Sequence, residues 1–333
     1  MFESFGRGLR MIWASIRMGW KDKRLLLPSV ITVFTNFLFG TLLMYQGMLF
    51  FHHDNAQPAP VATHQMSPHN LIHQMAQGGG LNQMTALNGA FDQGGWASQI
   101  AGGNSENAYA AAIIGGIWWL TTTFLEGVTI ALVYSHLTEG AGSGKISVAA
   151  EAVFASMPAI IQLGLVTVVA KKLAQFFKNK KGGTGFGFGF LAGIVQVYWT
   201  IACHLIMPAI VIEGTSFWGA MKRADKIASG NLLTIGFGEV GVDGICNVVM
   251  MGIGALGASG LAYGVYSGLI HSSLFMLAAF LWACLVVVTT ASFLYLRAAF
   301  YTCIYVWAIE AESAMVHDRE DVRPPAPLAH ALA

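Results

Sequence analysis

Two predominantly apolar stretches, Leu25–Phe51 and Tyr109–Leu137, are each longer than the ~20 residues a helix needs to cross a bilayer. Further apolar runs follow at Val153–Ala170, in a segment ending at Ile212, at Leu232–Leu256 and at Leu274–Leu296. This pattern predicts an all-α, polytopic helical membrane protein. Val153–Ala170, with 18 residues, is barely long enough to cross. If it crosses, the chain has six spans; if it is re-entrant, it has five.

Shorter amphipathic patterns flank the spans. Phe2, Phe5, Leu9, Ile12, Trp13, Ile16 and Trp20 recur at steps of three and four, which places them on one helix face. Arg7, Arg10, Arg17 and Lys21 mostly fill the other face. Residues 1–24 therefore read as an in-plane basic helix at a membrane surface, with lipid headgroups or a partner protein against it. A second such helix is expected near 215–229, capped by Thr215 or Ser216 and carrying Lys222, Arg223 and Lys226. Pro28 fits the first turn of span one, where a missing N–H costs little.

Charge sets the orientation. From Arg24 to Lys145 the chain runs 120 residues without a lysine or arginine, and six basic residues precede the first span. By the positive-inside rule the N-terminus is cytoplasmic, and the loop 52–108 between the first two spans is external. No cleavable signal is apparent, so the first span reads as a retained anchor in a plasma (inner) membrane. The lysine cluster Lys171, Lys172, Lys178, Lys180 and Lys181 does not decide the span count, because basic residues divide twelve inside to five outside either way.

The opening Arg7-Gly8, Trp13-Ala14-Ser15 and Lys21-Asp22-Lys23-Arg24-Leu25-Leu26-Leu27-Pro28 resembles an uncharacterised family of multi-span prokaryotic membrane proteins. Met207–Gly214 with Ala220–Arg223, and Arg297–Tyr301 running to Glu310, are similar to the same family's pattern. The resemblance implies about six spans and an in-plane N-terminal helix. It implies no activity, and the loop is longer than the family's connection.

Composition narrows the function. Hydrophobic residues make up 55% of the 333 and charged residues 11%, too few to cover a soluble surface. A net charge of +1 supplies no basic face for nucleic acid. Cys203, Cys246, Cys284 and Cys303 lie far apart in apolar runs, as small packing residues do. Gly140–Ser147 misses the phosphate-loop pattern: Glu139 stands where a glycine is needed and Ile146 where Ser or Thr is needed. Gly182–Gly189 lacks the preceding strand a dinucleotide fold requires. Adjacent Cys203 and His204 point about 100° apart on a helix and cannot form a nucleophile–base pair. No enzyme motif and no cofactor or nucleotide site remains.

Intramembrane charges are costly and therefore informative. Glu126 lies in span two. Glu239, Asp243 and Asn247 step by four along one face of span five, and His204 and Arg297 are the internal partners on other spans. A structural pairing such as Glu126–Arg297 is the preferred reading over proton or cation handling. The loop carries His52, His53, His64, His69 and His73; His69 and His73 are one turn apart and could take a transition metal, although a partner-binding or disordered loop is favoured. The expected role is a non-enzymatic accessory or scaffold subunit, docking other membrane proteins through its loop and glycine-lined helix faces. A small transporter using the intramembrane carboxylates is the alternative, and a metal-handling loop the weaker one. The tail from His317 is expected to be disordered.

Overall fold

A computed structural model describes residues 13, 15–54, 105–179, 199, 202–269 and 272–316. No strand occurs among them. The helices are α1 (residues 15–21), α2 (Leu27–Asp54), α3 (Ser105–Glu139), α4 (Ile146–Ala155), α5 (Met157–Asn179), α6 (Ala202–Glu213), α7 (Phe217–Tyr266) and α8 (Ser273–Val316). The loop residues 55–104, including His64, His69 and His73, lie outside the described residues, as do Arg7, Arg10, Lys180, Lys181, Gly182–Phe190 and the tail from His317.

The chain is a polytopic helical membrane protein. Four described helices are long and apolar enough to cross a membrane: Lys23–Leu43, Ala112–Glu139, Cys246–Tyr266 and Ser273–Glu310. The bent pair Ile146–Ala155 and Met157–Ala170 makes up to five. Four to five candidate spans thus stand among the described residues against the expected six. In the segment ending at Ile212, residues 180–198, 200 and 201 lie outside the described residues, and the described part includes the short apolar helix Ala202–Glu213.

The expected run Val153–Ala170 is not one straight helix. α4 and α5 meet at an angle of 62°. Pro158 lacks an N–H and its ring crowds the carbonyl four residues back, which kinks a helix at this point. Ser156 closes the break: its N–H reaches the Ala152 carbonyl at 3.2 Å, and its hydroxyl donates to Ala152 O at 3.0 Å and to Ile210 O at 3.4 Å.

Two further boundaries are corrected. The basic segment near 215–229 is no separate in-plane helix, because it runs without interruption into α7, which has 50 residues. At 1.5 Å per residue α7 is about 75 Å long, over twice the ~30 Å hydrocarbon thickness, so only part of it crosses. Its described apolar window, Cys246–Tyr266, overlaps the expected Leu232–Leu256 and carries the apolar helix on past it. Gly257, Gly260 and Gly264, which lie between the predicted runs Leu232–Leu256 and Leu274–Leu296, are helical; the helix ends at Ser267, and Gly268 takes φ +69° in the turn. At the other loop, α2 continues to Asp54, so His52 and His53 belong to its last turn.

Two compact units are distinguished, Met1–Val33 with Thr123–Ala333, and Phe34–Thr122. In the smaller unit the Trp118 indole N–H donates to Asn36 Oδ1 at 2.7 Å, while Phe34, Phe37 and Leu38 are exposed. The core of the larger unit joins Val128, Leu132 and Val133 of α3, Val153 of α4, Ile160 of α5, Leu205, Ile206 and Ile210 of α6, Phe217 and Ala224 of α7, and Ala299, Phe300 and Tyr305 of α8.

That core uses only the second half of α8. Its first half packs antiparallel on the end of α7: Phe275 meets Gly264, Trp282 meets Gly257, and the Trp282 N–H donates to Ile253 O at 3.1 Å. Glycine is required at 257 and 264 because a Cβ at either position would enter an aromatic ring. Outward, the hairpin exposes Leu256, Leu261, Leu274, Leu277, Phe280 and Val288.

Candidate functional site

Inside the larger unit, three helices bring polar side chains together among apolar neighbours. Glu126 comes from α3, His204 from α6, and Arg297 and Tyr301 from α8; Arg297 lies within electrostatic reach of both Glu126 and His204. The His204 ring stacks on Tyr301 with centroids 4.5 Å apart and planes 15° from parallel. Arg297 and Tyr301 are four apart on one face of α8, so one turn supplies both the charge and the ring.

The cluster sits beside the broken helix. A Cβ at Gly127, next to Glu126, would lie 2.9 Å from Val153 Cγ1 and 3.3 Å from Met207 Cε. Val153 is one turn before the break at Ser156, and Met207 is one turn beyond His204. Chemically, the arrangement sets a cation within electrostatic reach of a half-buried carboxylate and stacks an imidazole on a phenol ring.

Three of the five expected intramembrane residues, Glu126, His204 and Arg297, are therefore brought together. The side chains of Glu239 and Asp243 lie outside the described part of α7; Asn247, on the same face, is exposed. His69 and His73 lie outside the described residues, and no group of three or more His, Cys, Asp or Glu that could hold a metal occurs among the described residues.

Of the expected membrane-surface residues, Trp13, Arg17, Trp20 and Lys222 are exposed. Arg223 instead turns to carboxylates. Its Nε donates to Glu213 Oε1 at 3.1 Å, and Glu312 accepts from Arg223 and Lys226. The Tyr305 hydroxyl donates to the same Glu213 oxygen at 2.7 Å. This clasp ties α6, α7 and α8 at one end. Sequence reasoning missed Tyr301, Glu213, Tyr305 and Glu312, since their partners are 10 to 97 residues away. The one available signal is the i, i+3 spacing of Arg223 and Lys226.

Lys226, with Arg223, holds the Glu312 carboxyl below the usual carboxylate range against the opposing effect of burial. A depressed carboxylate pKa adds stability that is present above its unfolded value and is lost as pH falls through the folded value. Acidification below about pH 4.3 should therefore lower the thermal midpoint of the purified protein, and part of that decline should be missing in Glu312→Gln. The difference should be about 1 kcal/mol or less, because the pair is partly exposed. Superimposable pH profiles of the two proteins would refute the clasp.

Comparison with protein-family models, curated proteins and solved structures finds no match to this chain.

Proposed function

We propose that the chain is a non-enzymatic accessory or scaffold subunit of a plasma (inner) membrane, docking other membrane proteins in the bilayer. The observation that supports this reading is the hairpin of α7 and α8. The apolar windows of both Cys246–Tyr266 and Ser273–Glu310 are only 6% buried, against 50% for Ala112–Glu139. Cys246–Tyr266 and the first half of α8 pack on each other, add little to the core of their own unit and offer a long apolar surface to a neighbour. Gly257 and Gly264 are consumed within the hairpin, but Gly252 and Gly260 have nothing within 4 Å and allow another helix close approach. The loop of residues 52–108 is a second docking element in this reading. The N-terminus is cytoplasmic and the loop external, on the distribution of lysine and arginine.

The test is gentle detergent extraction of the tagged protein, followed by native mass analysis. A stoichiometric partner is expected, and Gly252→Leu/Gly260→Leu or removal of residues 55–104 should release it. A lone monomer or homo-oligomer sinks the reading.

A second reading, a small transporter, draws on the broken helix beside Glu126, His204 and Arg297, because discontinuous helices next to buried charges line many transport sites. Ion flux into proteoliposomes that is lost in Glu126→Gln would favour it over the scaffold.

A further inference from the structure

The N-terminal helix has three faces rather than the two its sequence pattern suggests. Ser15 and Met18 are buried. The Tyr295 hydroxyl donates to Ser15 O at 3.1 Å, the Ser15 hydroxyl meets the Cys303 thiol, and Gly19 lets the Tyr295 ring approach. This small-residue face packs on α8 and sets the roll of the helix.

The apolar stripe thus points away from the protein. Trp13 is 67% exposed and Trp20 81%, with Ile16 between them. At 100° per residue, Arg17 and Lys21 lie along one flank of that stripe, not opposite it. Lys23 and Arg24, both exposed, continue the basic flank into the candidate span that begins at Lys23. Asp22 is extended, with φ −120° and ψ 91°, so the chain changes direction between α1 and the span. Covalent continuity therefore keeps α1 at the membrane boundary.

Asp22, the one acid among residues 13–24, is already engaged. Its carboxylate accepts from Arg24 N at 3.1 Å and Gly142 N at 3.2 Å, and lies 3.5 Å from His136 Nδ1. Four basic residues less this one acid leave +3 on the segment. The Gly142 contact also draws exposed Lys145 toward the same end.

We infer that the Trp13–Ile16–Trp20 face, with the basic flank of Arg17, Lys21, Lys23 and Arg24, is a docking surface for bilayer lipids with anionic headgroups. Indole rings sit at headgroup level with their apolar bodies toward the chains. Cations on the adjacent flank then meet phosphate oxygens in the same plane. Each basic side chain at an anionic surface contributes about fivefold in local lipid preference. Charge complementarity selects an anionic bilayer over a neutral one, and direct attachment to a span selects a bilayer over a soluble partner.

The test uses the full chain in liposomes containing equal mole fractions of acyl-brominated phosphatidylcholine or phosphatidylglycerol. Tryptophan emission of the protein minus that of Trp13→Phe/Trp20→Phe isolates two of the nine tryptophans. That difference signal should be quenched by both lipids, several-fold more strongly by phosphatidylglycerol. The excess should vanish in Arg17→Gln/Lys21→Gln, whose unchanged elution controls for folding. Absence of quenching by either lipid places the face in water or against protein and overturns the proposal. Equal quenching by both lipids removes the headgroup selectivity and overturns it too. Partner capture in the native mass experiment depends on neither outcome, so the two readings fail separately.

Discussion

Arg297→Met should lower the thermal midpoint of the purified protein sharply, and adding Glu126→Gln should restore much of the loss. The single change leaves Glu126 facing an apolar core without the cation that lies within its electrostatic reach. Breaking a fully buried pair from one side costs about 3–5 kcal/mol, because an uncompensated charge remains, whereas removing both charges is often near neutral. Glu126 and Arg297 are half-buried, so the loss here lies below that ceiling. Arg297 also reaches His204, and methionine is the right replacement: it is unbranched, flexible and uncharged. Glu126→Gln alone should destabilise from the opposite side. The measurement is a double-mutant cycle on unfolding midpoints followed by size-exclusion chromatography. A strongly non-additive cycle is expected; strictly additive losses would mean that the two groups stabilise the fold independently.

Gly257→Leu should be the next most damaging change. Position 257 faces the Trp282 indole, and even a Cβ there would overlap the ring. Trp282 cannot simply swing away, because its N–H is committed to the Ile253 carbonyl at 3.1 Å. Forcing extra carbons into such a contact costs about 1–3 kcal/mol. Here the helices must separate, or the indole must give up its hydrogen bond. Gly252→Ala is the internal control: nothing lies within 4 Å of that position, and exchanging glycine for alanine inside a helix gains up to about 1 kcal/mol. Gly257→Leu should therefore lower the midpoint while Gly252→Ala leaves it level or raises it, and Trp282→Leu added to Gly257→Leu should recover part of the loss. Equal behaviour of the two glycine positions would show that the helices do not pack as described.

Much of this was legible in the residues themselves. The helices and their apolar lengths follow from long runs that only lipid can solvate. Pro28 in the first turn of α2 and Ser216 capping α7, with its side chain accepting from Gly219 N, are local chemistry and were readable as such. So was the candidacy of Glu126, His204 and Arg297, since charges inside apolar runs stand out. The ends of helices were less legible. Glycine-rich Gly257–Gly264 reads as a connection by propensity, yet it is helical, and the missing side chains of Gly257 and Gly264 make room for Trp282 and Phe275 on α8.

Periodicity along one helix also could not show which face a neighbour takes. The N-terminal stripe of Trp13, Ile16 and Trp20 was evident, but the burial of Ser15, Met18 and Gly19 depends on Tyr295, 280 residues from Ser15. The same distance effect hid Glu213, Tyr305 and Glu312, whose ion pairs and hydrogen bonds cross between helices. By itself, then, the sequence determined that the chain is helical, that it lives in a membrane, and which polar residues are anomalous there. Only the tertiary structure decided which of those residues meet, where the broken helix lies and which apolar faces stay outside. The physical reason is range: burial and helix propensity act within a few residues, whereas pairing and packing depend on contacts between segments far apart in the chain.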